Sequence, residues 1–155
     1  FGKTAELLGE LPKESPFFYL METARNLCLV LEKKADLGRE IRLAYSQEDK
    51  ETLQEIANIK IPVLLQRLQD FYQSFRTQWN LENKSFGFEV QTVRIGGLLQ
   101  RLKDVQEILN AYLREEIPGI AELNEPQKAF HYFEQNEIRS LNYNLWTDIV
   151  SPSKI

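Results

Sequence analysis

The sequence predicts an all-α fold, an antiparallel bundle of about three long helices with an irregular aromatic-rich C-terminal tail. Three observations carry that prediction. Apolar residues recur at three- and four-residue spacing through long stretches of residues 15–125, the mark of helices that bury one side. No strand-like alternation appears in residues 1–125, nor any internal repeat or low-complexity segment. The breaks between the periodic stretches are short, which favours antiparallel neighbours with nearly parallel axes.

Residues 1–14 read as a linker or the end of a preceding domain, with a short helical turn around Thr4–Leu8 and a connector from Gly9 to Pro16. Ser15 is placed to cap the first long helix, with Pro16 at its first position, where a missing N–H costs nothing. Phe17, Leu20, Met21, Ala24, Leu27, Cys28, Leu31 and Ala35 then form a core stripe that continues past Gly38 to Ile41 and Tyr45. Since no proline intervenes, the expectation is one helix with a weak point at Gly38. The run "SQEDK" breaks the pattern, and Asp49 is the expected N-cap of the next helix, whose apolar side holds Leu53, Ile56 and Ala57. Pro62 must kink or restart that helix. Beyond it, Leu64, Leu65, Leu68, Phe71, Tyr72, Phe75 and Trp79 make an aromatic stripe. A last helix carries Leu98, Leu102, Val105, Leu109, Tyr112 and Leu113, until Pro118–Gly119 bends or ends it. Residues 15–125 form the bundle. Residues 126–155 are rich in aromatics and Asn without helical spacing, so this tail is expected to pack on the bundle, a neighbouring domain or a partner subunit.

The totals exclude several functions. With 43% hydrophobic and 27% charged residues, the chain has ordinary globular usage and is not a disordered segment. No apolar run approaches the roughly 20 residues that span a bilayer, so no membrane partner is expected. A net charge of −4 and a pI near 5.2 oppose a phosphate backbone, so nucleic acid is not expected either. The single cysteine, Cys28, falls at apolar helical spacing and reads as a small hydrophobe; its isolation suggests a reducing, cytoplasmic compartment. Phe1 is not an initiator methionine, and the first residues resemble no secretory leader, so the chain reads as a piece of a longer one.

No active site is visible in the residues themselves. His131 is the only histidine, and a packing role in its aromatic surroundings suits it better than catalysis. One His and one Cys cannot make a usual zinc site, and "RIGG" lacks the Lys and spacing of a phosphate loop. Neither a metal nor a cofactor is expected. Glu48–Asp49 and Glu115–Glu116 sit at helix ends, where capping and solvation account for them. Asn83–Lys84–Ser85 is a glycosylation acceptor only in a secreted eukaryotic protein.

The informative stretch is "NKSFGFEVQTVRIGGLLQR", Asn83 to Arg101. Gly87, between Phe86 and Phe88, allows a backbone turn that a side chain forbids and can press two rings into one surface. Glu89, Gln91 and Arg94 follow in the first helical turns. Gly96 and Gly97 then remove side-chain bulk at a propensity cost of about 1 kcal/mol each. Either helices pack closely there inside the bundle, or the face docks another domain or subunit through Phe86, Phe88, Glu89, Gln91, Arg94, Gly96 and Gly97.

That stretch resembles the NKPFGFEVQ-[DT]-[IV]-R-[IL]-GGL segment in the helical region that follows the catalytic barrel of bacterial β-N-acetylhexosaminidases, glycoside hydrolase family 20. "KADLGREIRLAY" and "FYQSFRTQW" are similar to the same region in the same order, and the streptococcal-type exo-β-D-N-acetylglucosaminidases are the nearest in kind. The resemblance covers residues 15–125, with Ser85 standing where the pattern has Pro. It implies a parent enzyme that releases terminal N-acetylhexosamine with retention, the substrate's acetamido group acting as nucleophile. The family's catalytic Asp-Glu pair has no counterpart here, because none of Asp36, Asp49, Asp70, Asp104 and Asp148 precedes a Glu. By resemblance, then, this is a non-catalytic C-terminal domain whose partners are the barrel of its own chain and a second copy in a homodimer. The alternative is a free-standing helical interaction module with no enzymatic parent.

Overall fold

A computed structural model of the protein describes residues 1–125, and the expected tail at 126–155, with His131, lies outside them. The elements in chain order are α1 (Gly2–Gly9), α2 (Phe18–Lys34), α3 (Leu37–Ser46), α4 (Lys50–Glu55), a π-turn (Ile56–Lys60), α5 (Ile61–Glu82), α6 (Phe88–Leu113) and the short α7 (Ala121–Asn124). Among the described residues there is no strand. The fold is the all-α bundle that the periodicity predicts.

Cross-helix bonds fix its topology. Tyr19 on α2 donates to Glu82 on α5, Asn26 donates to Ser74, and Arg67 donates to the carbonyl of Leu29 and the carboxylate of Glu32. Lys60 reaches Glu40 on α3. One number falls as the other rises, so the α2–α3 arm runs antiparallel to the rod of α4, π-turn and α5. The same holds on the other side, where Tyr72 pairs with Thr92 and Gln106 with Ala57, while Lys50 pairs with Glu115. The layers therefore run α1 on α2, α2 on α5 and α5 on α6.

The core lies around the rod. Leu53, Ile56, Ala57, Ile61 and Leu64 are fully buried, joined by Leu37, Ile41 and Ala44 from α3 and by Leu102 and Leu109 from α6. Burying side chains of this size is worth about 1.5–3 kcal/mol each, so this cluster supplies most of the drive to fold. Asp49 is the N-cap that the sequence predicts: its carboxylate accepts from the Thr52 N–H at 3.0 Å and from the Thr52 hydroxyl at 2.6 Å.

The helical turn expected around Thr4–Leu8 is α1, which packs along α2 with Ala5 buried. Three expectations need correction. The first long helix begins at Phe18, not Pro16; Ser15 caps a preceding turn, its hydroxyl accepting from the Phe17 N–H at 3.3 Å. The α2 stripe is only half right. Phe17, Ala24, Leu27 and Ala35 are exposed, and α2 meets α5 through Thr23, Asn26 and Val30. Lastly, α2 and α3 are separate helices. The chain turns at Ala35–Asp36, ahead of Gly38, because α3 must swing over α4 to bury Leu37, Ile41 and Ala44.

At Pro62 the helix restarts as expected, α5 beginning at Ile61 with the proline in its first turn, but the rod stays continuous across the join. The proline has no N–H to donate, and its ring would crowd the carbonyl of Asn58 in a regular helix. The preceding turn widens instead, and the Ile61 N–H reaches Ile56 O, five residues back. That leaves the Ala57 carbonyl without its helical donor in a fully buried position. Gln106 of α6 supplies one, its side-chain amide donating to Ala57 O at 2.7 Å.

Gln106→Leu strands that carbonyl, and a buried unsatisfied group costs about 1–3 kcal/mol. Urea unfolding is expected to show a loss of that size; an unchanged midpoint would mean that the carbonyl has another donor. The hydrogen bonds from Thr52 hold the Asp49 carboxyl below its ordinary pKa. A depressed carboxylate pKa contributes stability above the unfolded-state value and loses it as pH falls through the folded one. Asp49→Ala is therefore expected to lower Tm at neutral pH, with the gap to wild type closing in acid. A gap independent of pH would contradict the assignment.

Candidate docking surface

The stretch from Asn83 to Arg101 is built on a four-ring cluster. The periodicity of α5 brings Tyr72, Phe75 and Trp79 to one side, and Phe88 of α6 drops between them at ring distances of 5.6, 5.6 and 5.7 Å. The loop is tied to this cluster at both ends. The Asn83 N–H donates to Trp79 O at 2.7 Å, and the Trp79 indole donates to Lys84 O at 2.9 Å. Gly87 is the N-cap of α6 at φ +100°, a left-handed conformation in which any side chain is strained. Its N–H donates to the Glu89 carboxylate at 2.7 Å, which also places a negative charge at the positive end of α6.

The structure divides the expected contact set. Phe88 is only 7% exposed and Phe86 is 89% exposed, so the turn at Gly87 sends one ring inward and the other out. Gln91 is half-buried on the side of α6 that also carries Leu98, Leu102 and Leu109, whereas Glu89, Arg94, Gly96 and Gly97 are exposed. At about 100° per residue, Glu89, Val93, Gly96 and Gln100 follow one line along the outer side of the helix. A Cβ built on Gly96 or Gly97 would meet nothing within 4 Å. Close packing inside the described bundle therefore does not explain the glycine pair. It leaves a shallow notch in the outer face of α6.

Two exposed residues near the bond from Tyr19 to Glu82 escape the sequence reading. Leu81 sits on α5 and Phe17 just ahead of α2, so both flank the bundle end that carries Phe86. Phe17 looks like a core residue because its spacing continues the α2 stripe. Only the helix start at Phe18 removes it from that stripe.

Nothing in the described surface gathers chemistry. A groove of about 230 Å³ lies between α3, α6 and the α7 segment, lined by Ile41, Val105, Ile108, Leu109, Ile120 and Leu123, with Arg42 and Glu122 also on its wall. Among the described residues no three His, Cys, Asp or Glu side chains come together as a metal site. No helix among them is long and apolar enough to cross a membrane. Besides Asp49, the shifted carboxyls are Glu32 beside Arg67, Glu115 beside Lys50 and Glu116 beside Arg114, each lowered by a hydrogen bond from a structural partner.

A row of amphipathic helices with a notched, polar outer face has the make-up of a helical support or interaction domain. The comparison with protein families is specific: the chain belongs to the glycoside hydrolase 20C C-terminal domain family, whose profile matches residues 1–142. It is thus a C-terminal domain of a glycoside hydrolase family 20 enzyme. No curated protein matches the chain. Family membership sets aside the reading of a module without an enzymatic parent, since the family is defined as part of a larger hydrolase.

Phe88→Ala empties the centre of the ring cluster and is expected to cost about 3 kcal/mol or more in chemical unfolding. Phe86→Ala is expected to stay within about 0.5 kcal/mol of wild type, as surface changes do. Equal losses for the two would contradict the inward and outward assignment.

Proposed function

We propose that this domain is the non-catalytic helical support of a bacterial β-N-acetylhexosaminidase and that the outer face of α6 joins two copies of the enzyme. In this reading the parent removes terminal N-acetylhexosamine with retention. The substrate's acetamido oxygen attacks the anomeric carbon, and a carboxylic acid of the catalytic barrel protonates the leaving group. The groups that carry those steps belong to the barrel; this chain contributes rigidity and assembly. It works in the cytoplasm, a reading that rests on its lone cysteine.

The single observation behind the assembly role is the notch at Gly96 and Gly97. Two adjacent glycines inside a helix cost about 1 kcal/mol each relative to alanine, and no described part of the chain occupies the space they leave. A second helix crossing at that point recovers the cost, because the missing side chains let backbones approach closely. Glu89 and Arg94, both exposed beside it, supply charges of opposite sign for a polar rim. The same face serves no enzyme chemistry.

The reading is tested on the full-length parent. It is expected to release the aminosugar from an aryl N-acetyl-β-hexosaminide with retained configuration and to scatter light as a dimer. Gly97→Leu fills the notch, and its Cβ meets no described neighbour, so helix content by circular dichroism is expected to hold while the dimer dissociates on dilution. An unchanged mass at all concentrations would remove the α6 face from the interface. A parent inactive on such glycosides would remove the activity.

A further inference from the structure

The groove between α3, α6 and α7 is apolar, and its third wall is held on purpose. Among its lining residues Ile41, Leu109 and Ile120 are buried, while Val105, Ile108 and Leu123 are half-covered. That third wall is α7, a helix of four residues, far too short to hold itself. Both neighbours clip it in place. The Ile120 N–H donates to the Tyr45 hydroxyl at 3.0 Å, and that hydroxyl donates to Asn124 Oδ1 at 3.0 Å. Arg42 donates to Leu123 O at 3.3 Å, and Arg101 of α6 pairs with Glu122. Away from Tyr45 the groove reaches Gly38 in the first turn of α3, where a Cβ would meet nothing within 4 Å. Its volume of about 230 Å³ falls below the roughly 300–1,000 Å³ of pockets that take a small-molecule ligand. Space of that size suits side chains.

We propose that the occupant is this chain's own aromatic run "AFHYF", residues 129–133, which lies outside the described residues and seats its rings in the groove. The family profile runs through residue 142, so the run belongs to this domain. Leu123, six residues ahead of it, already lines the groove. At about 3.3–3.6 Å per residue, the connecting stretch spans at most about 20 Å, and α3 at about 1.5 Å per residue is shorter than that. The run can therefore reach any part of the groove, at an effective concentration in the millimolar range. Glu125 leaves α7 extended, at φ −68° and ψ 138°, as a residue ahead of a proline must. Phe130, Tyr132 and Phe133 carry large apolar faces with little else to cover them. Charge agrees with this placement. Arg42 on the groove wall spends an N–H on Leu123 O and has no carboxylate partner among the described residues, and Glu134 directly follows the run. The placement needs neither the proposed dimer nor the proposed reaction.

Photo-crosslinking in the full-length parent tests it. Phe130 in one protein and Phe133 in another are replaced by p-benzoylphenylalanine, and the cross-linked peptides are mapped by mass. Unlabelled and 15N-labelled copies are mixed before illumination, so that a bond within one chain differs in mass from a bond between two. The expected result is a same-chain bond, from either position, to the α3 peptide holding Ile41 or the α6 peptide holding Val105 and Ile108. Bonds only to the catalytic barrel, only between labelled and unlabelled copies, or to no peptide beyond α7 overturn the assignment. Gly38→Trp then fills the groove from an exposed position where its Cβ meets no described neighbour. With helix content unchanged by circular dichroism, the bond to α3 or α6 is expected to fall about tenfold. A yield that stays the same also overturns the assignment. Activity and mass are read separately, so a chain that cross-links as expected but is inactive on N-acetylhexosaminides, or monomeric, keeps this contact and loses only the proposed function.

Discussion

The bundle depends on keeping one rod continuous through a proline. From Lys50 to Glu82 the chain runs as α4, π-turn and α5, and α2, α3 and α6 are all laid against it. Pro62 removes a donor in the middle of that rod. The widened turn before it gives up the regular bond to Ala57 O, and α6 returns that bond through Gln106. The repair is tertiary, not local, so the rod is regular only when α6 is in place. It also explains why the most deeply buried residues, Ile56, Ala57 and Ile61, surround this turn. A wide helical turn with an unmet carbonyl is tolerable only where packing holds it and a partner satisfies it.

From that constraint the role of α6 follows. Its inner side must present Gln106, Leu102 and Leu109 to the rod, with Phe88 locked among the aromatic rings at the far end. These anchors, spread along the helix, fix its rotation. Once the rotation is fixed, Gly96 and Gly97 have no choice but to face outward. The helix carries them at a cost in propensity that nothing in the described bundle offsets. The anchors also tolerate the glycines, because a helix pinned at both ends does not need strong local propensity in its middle.

Much of this was legible in the sequence because the relevant signals are local. Asp49 caps through a residue three positions on, Gly87 marks its own turn, and Leu53, Ile56 and Ala57 share a face by spacing alone. What was not legible depends on partners distant in sequence. The break at Ala35–Asp36 carries no proline, and the glycine that marks a weak point, Gly38, lies just past it; its place follows from where Leu37 and Ile41 find a core across the α4 helix. On α2, a helix wedged between α1 and α5, two contact sides blur a single stripe, and Leu27 ends up exposed. Periodicity also could not say which of Phe86 and Phe88 turns inward, since both precede or begin the helix. The π-turn was hidden for a different reason. Proline predicts a disturbance, but whether the chain kinks or widens is decided by a glutamine more than forty residues away.

The order of the layers decides which sides of the outer helices stay free. Because α1 meets α2, α2 meets α5 and α5 meets α6, the two outermost helices share no substantial contact. Each has one side committed to its inner neighbour and another left over. On α6 it is polar and notched at Gly96 and Gly97. The rod between the two, clipped to α2 by Arg67 and to α6 by Gln106, keeps those free sides apart.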